Sequence, residues 1–93
     1  MGAAMDDAAA RLLAFRYMAS TDRRAADVYR WCRRLLGHRD RARDCNALWS
    51  DAFDLLVVLI ADSETFAAGI ARRVAVAERA AAKFDQDRER GVA

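Results

Sequence analysis

The stretch "AFDLLVVLIAD", Ala52 to Asp62, decides the fold. Its centre, Leu55 to Ile60, is a wholly apolar run that reads either as a buried strand or as part of a buried helix. A strand needs a partner, and nowhere else does a period-two alternation persist long enough to supply one. Working outward, Cys45, Leu48, Ala52, Leu55 and Leu59 step by three and four, which predicts a helix over 40–61.

That helix is apolar almost all round. Leu48, Leu55, Leu56 and Leu59 share the Ala52 side, Trp49, Phe53 and Ile60 cover a flank, and Val57 and Val58 reach toward the back. Such a helix must be covered on more than one side. In a bundle where each helix has two neighbours and one wet face, the surplus on Phe53, Val57 and Ile60 predicts a contact with a second copy or a protein partner, with Trp31 or Trp49 at its edge. On that reading Val57→Glu separates subunits and leaves the helices intact. The competing reading is that the short bundle simply wraps its third helix deeply.

The flanking sequence repeats the three-four step. Met5, Ala8, Leu12, Phe15 and Ala19 predict a helix over 5–19. Ala25, Val28, Cys32 and Leu35 predict another over 22–36, and Ala67, Ile70, Val74, Ala77, Ala81 and Phe84 a fourth over 63–86. Ser20-Thr21-Asp22 breaks the first pattern without Gly or Pro, so helices one and two are either separate, with Ser20 or Thr21 as N-cap, or continuous with a bend. Gly37 suits the left-handed position after a helix, and Asp62 or Ser63 the N-cap of the fourth. The expected fold is all-α: a small antiparallel bundle of four helices, or of three long ones, in a single domain over 1–93 with frayed ends at 1–4 and 87–93.

Bulk properties agree. The 93-residue chain is 55 % hydrophobic and 32 % charged, too apolar for disorder. Proline is absent, and Ala, Arg and Leu favour helix. A chain of this size buries a thin core and gains from a partner subunit. Asp6 and Asp7 stand where a signal peptide needs positive charge, and no apolar run reaches the roughly 20 residues of a membrane helix. The expectation is a cytoplasmic chain with reduced thiols and no membrane contact. Size and composition fit the small helical proteins of bacteria and phages as a class.

Charge is segregated. Residues 11–43 carry net +7, residues 44–71 net −5, and the whole chain only +2. On the second helix Arg23, Arg30 and Arg34 lie opposite the Cys32 stripe, the ordinary wet face of an amphipathic helix. With Arg39, Arg41 and Arg43 in the following turn they form a basic surface that can meet an acidic protein or track phosphates. A sequence-specific reading of DNA is disfavoured. The helix after the turn presents Asn46, Ser50, Asp51 and Asp54, and its aspartates repel phosphate.

Chemistry has little support. Cys32, His38 and Cys45 fit no common zinc spacing and offer three ligands where a structural site takes four. The acid pairs Asp51/Asp54 and Asp85/Glu89 fall on wet faces. There is no second histidine, Gly-rich phosphate loop or nucleophile elbow. The expectation is a chain with no catalytic residues, no metal and no cofactor: a regulatory, homodimeric interaction module that binds or occludes a protein partner. The alternative is a helical protein that binds nucleic acid without sequence preference.

Overall fold

Helices form where the sequence pattern places them, but the first helix buries Ala10, Leu13, Ala14, Tyr17 and Met18 and leaves the expected stripe of Ala8, Leu12, Phe15 and Ala19 exposed. The computed structural model describes residues 5–37 and 48–91. Four helices form in order: α1 (Asp7–Ser20), α2 (Ala25–Leu35), α3 (Trp49–Asp62) and α4 (Glu64–Gly91). No strand occurs among the described residues, so the run Leu55 to Ile60 is helical and the chain is a small all-α bundle.

The caps explain the boundaries. Asp6 begins α1, its Oδ1 accepting from the Ala9 N–H at 2.8 Å. At the far end the Thr21 N–H donates to the Tyr17 carbonyl, and Thr21 Oγ1 accepts from the Arg23 N–H at 3.2 Å. This local side-chain bond competes with the helix and separates α1 from α2 without Gly or Pro. The N-cap of α2 is therefore Arg24, which has no side-chain acceptor, and not Ser20 or Thr21. Gly37 closes α2 at φ +83, a conformation that L side chains rarely adopt. Ser63 alone separates α3 from α4 and caps α4, its Oγ accepting from the Phe66 N–H at 3.1 Å.

Two boundaries differ from expectation. Leu48 is the N-cap of α3, not a core position within it, and it is 66 % exposed. Asp51 reaches back to accept from the Leu48 N–H at 2.9 Å. The rest of the expected helix start, at 40–47, lies outside the described residues. At the other end α4 holds through Gly91, past the expected fraying point at 87. Its last turns interleave opposite charges, as in the Arg88–Asp85 pair at 3.8 Å, and contain no breaker before Gly91.

α3 packs on all three other helices, while α1 also packs on α4. Ala52, Leu56 and Ile60, one turn apart, are fully buried, and Val57 is 8 % exposed. They meet Val28 and Cys32 of α2, Leu13, Ala14, Tyr17 and Met18 of α1, and Ala67, Ile70 and Val74 of α4. Small residues at Ala10, Ala14, Ala52 and Ala67 let the helices approach closely. The wet side of α3 is a single file of Asp51, Asp54, Val58 and Asp62.

This arrangement corrects the placement of Val57 and Ile60 at a subunit seam. Both are covered by the chain's own helices, because α3 has three neighbours and not the two that a simple bundle provides. Val57→Glu puts a carboxylate in this core and abolishes cooperative unfolding at room temperature, whereas Val58→Glu, on the wet file, leaves the thermal midpoint within a few degrees. Leu56→Ala costs about 2–5 kcal/mol in urea unfolding followed by circular dichroism.

Candidate functional site

Trp31 is where the charged surface and the core meet. It is half-buried on α2, and its ring lies 6.4 Å from that of Tyr17 on α1 and 5.4 Å from that of Phe66 on α4. Two guanidinium groups sit against the same ring: Arg23 Cζ at 5.1 Å from its centroid and Arg73 Cζ at 5.4 Å. Gly69 makes room for the second. A Cβ there would stand 3.2 Å from Arg73 Nη1, so the bare backbone lets Arg73 fold back along α4 to Trp31.

Beside this clamp the α1–α2 connection and the middle of α4 bound a cleft of about 420 Å³. Its walls are Tyr17, Ser20, Thr21, Asp22 and Arg23 on one side and Arg73, Ala77 and Ala80 on the other. Thr21 Oγ1 already accepts from the Arg23 N–H, which leaves its own proton to donate. Ser20 Oγ donates to the Tyr17 carbonyl at 3.4 Å, a long bond that is easily exchanged.

Several other arginines are occupied within the chain. Arg11 pairs with Asp7 at 3.0 Å and Arg30 with Asp27. Arg16 grips Glu78 through a fork of 2.6 and 3.1 Å, which pins α4 to α1. That bond holds the Glu78 carboxyl below the usual carboxylate range. Arg33 lies over the Tyr29 ring and donates to its hydroxyl at 2.8 Å. Of the expected basic surface, then, Arg23 stands at Trp31, Arg30 is paired with an acid, and Arg34 is exposed. Arg39, Arg41 and Arg43 lie outside the described residues.

The expected interface residues do not form one surface. Trp31 and Trp49 belong to separate aromatic clusters. Trp49 stacks on Phe53 at 5.4 Å and meets Phe15 edge-on at 6.0 Å. Phe15 and Tyr17 are two residues apart on α1, so the clusters they join lie on opposite flanks of that helix. Trp49 is 45 % exposed and Phe53 half-buried. Two residues passed over in the sequence prove informative, Arg73 and Val76, and Phe84, expected on the apolar stripe of α4, is exposed. Arg73 was legible in principle, because Phe66, Gly69, Ile70 and Arg73 fall on one side of α4.

Beyond Val74, α4 leaves the bundle. From Ala75 to Gly91 every residue is exposed except the half-buried Ala77, with Val76 at 58 % and Phe84 at 64 %. This tail, roughly 25 Å long at the helical rise, continues the seam of Ile70 and Val74 through the half-buried Ala77 to the exposed Ala81 and Phe84.

No group of three potential metal-ligating side chains comes together among the described residues. Cys45 and His38 fall outside them, and no helix of the described chain is long and apolar enough to cross a membrane. Set against known proteins, the chain matches no family, no curated protein and no solved structure.

Burial pushes the Cys32 thiol up to about 11, the nearby Arg23 charge only partly opposing it. Iodoacetamide at pH 8 therefore leaves Cys32 unmodified in the folded chain and alkylates it in urea, as read by peptide mapping. Since the folded-state value is raised, this thiol favours the fold below its ordinary value of 9.0, and that contribution is lost as pH climbs toward 11.

Proposed function

We infer that the protein is a non-enzymatic association module that works as a homodimer through the projecting end of α4. The observation that carries this reading is the seam that runs from the half-buried Ala77 to the uncovered Ala81 and Phe84. Ala-rich composition and propagation from the bundle keep the tail helical without help. Those factors do not cover Phe84 and Val76. The three-four spacing is that of a helix-pair seam, and the two alanines allow close approach.

A second copy suits this seam for an electrostatic reason. Residues 75–91 carry four acids and four bases, net zero, so two tails meet without the repulsion that the basic front half would impose. Dimerisation through α4 also leaves the exposed arginines of α2, Arg24 and Arg34, outward for an acidic protein partner.

Light scattering after gel filtration at tens of micromolar tests the reading. The wild type elutes at about twice 10.4 kDa. Phe84→Glu, changed at a site that the bundle does not cover, elutes as monomer and keeps its helical circular dichroism and cooperative unfolding, with only the stabilisation from association lost. A wild-type monomer at that concentration, where a Kd of about 1 μM (−8.2 kcal/mol) saturates, overturns the reading, as does a Phe84→Glu dimer.

A further inference from the structure

We propose that the cleft between the α1–α2 connection and α4 binds the phosphoryl group of a small phosphomonoester, held by Arg23 and Arg73 beside Trp31. This site adjoins the α4 seam at Ala77, but its ligand-binding groups, Arg23 and Arg73, lie outside that seam. Four features converge on it. Both arginines line one cleft and set their guanidinium groups against one ring, so these groups lie no farther apart than the sum of their two distances to it. Neither is paired with a carboxylate among the described residues, in contrast to Arg11, Arg16 and Arg30. Two planar forks against a compact dianion give the bidentate recognition for which arginine is suited. The Thr21 and Ser20 hydroxyls add donors at the same wall. The cation–π contacts hold the arginines in place before a ligand arrives, so less side-chain entropy is lost on binding.

The size and surroundings of the cleft select a small ligand. About 420 Å³ is more than a bare phosphate needs and lies within the range of small-molecule sites. Ala77, Ala80 and Tyr17 supply apolar wall for an attached carbon skeleton. Asp22 on the wall works against an extended polyanion such as a nucleic-acid strand, which must run past it, and lowers affinity for any anion. α2 starts two residues after Arg23 with an N-cap, Arg24, that gives no side-chain acceptor, so unspent N–H groups raise the local positive potential.

Gly69 belongs to this arrangement. Alanine there crowds Arg73 Nη1, the movable end of a long side chain, so the fold tolerates it and gains helix propensity while Arg73 Nη1 shifts by a few tenths of an ångström. The substitution separates a binding role from a structural one.

The test uses Trp49→Phe, in which Trp31 is the sole tryptophan, and follows its fluorescence at constant ionic strength. The ligands are inorganic phosphate, O-phosphoserine, sodium chloride and a single-stranded oligonucleotide. The expected result is a saturable change with phosphate and a tighter one with O-phosphoserine. Arg23→Gln and Arg73→Gln each weaken it at least about tenfold. Gly69→Ala weakens it with the thermal midpoint held or raised, and Asp22→Asn strengthens it. The proposal is overturned if phosphate acts no differently from chloride, if Arg23→Gln and Arg73→Gln both bind as the parent does, or if only the oligonucleotide responds. That last result makes the arginines a nucleic-acid surface.

Discussion

A helix with leucine, valine or isoleucine at every position from 55 to 60 has no side that prefers water, and the other three helices are placed to meet that demand. α3 is accordingly a strut packed on α1, α2 and α4, and not one of four equivalent staves. Its small and branched residues, Ala52, Leu56 and Ile60, accept the other helices at close range. The remaining features follow from this centre. α1 closes against α3 on one flank through Phe15, Trp49 and Phe53, and on the other shares Tyr17 with Trp31 and Phe66. α4 contributes only its first three turns to the core and then runs on uncovered.

The charged surface follows the same logic. Arginines near a carboxylate of their own chain are spent on it: Arg16 on Glu78 between helices, and Arg11 and Arg30 within α1 and α2. Exposed pairs of this kind stabilise little and are screened by salt. Their effect is to break the basic front half into small islands. Arg23 and Arg73 depart from this pattern: among the described residues their partner is an aromatic face instead of an acid.

Much of the fold was legible because helical periodicity is a local property. The stripes at Val28 and Cys32 and at Ile70 and Val74 follow from spacing alone, as do the positive φ of Gly37 and the capping role of Ser63, whereas α1 buries Ala10, Leu13, Ala14, Tyr17 and Met18 and not the expected Ala8, Leu12, Phe15 and Ala19. What was not legible depends on tertiary contact. The number of helices around α3 is not written in its own residues, so Val57 and Ile60 read as surplus although the chain covers them. The two tryptophans read as neighbours on one seam, yet each is claimed by a different flank of α1. The cleft joins residues some 50 positions apart, Arg23 and Arg73, and no motif marks it. The separation of α1 from α2 rests on a Thr21 side-chain bond for which serine and threonine have a propensity, without certainty of position.

Hydrogen exchange read by mass spectrometry at two protein concentrations tests most directly the claim that α3 is buried within one chain and that association uses α4. The account predicts that amides from Ala52 to Asp62 are the slowest in the molecule at both concentrations and slow further only by the stability that the whole fold gains from association. Amides from Val76 to Gly91 exchange fast when dilute and slow down as concentration rises. Protection of α3 that itself depends on concentration, with a tail that stays fast throughout, contradicts the account and returns the subunit contact to Val57 and Ile60.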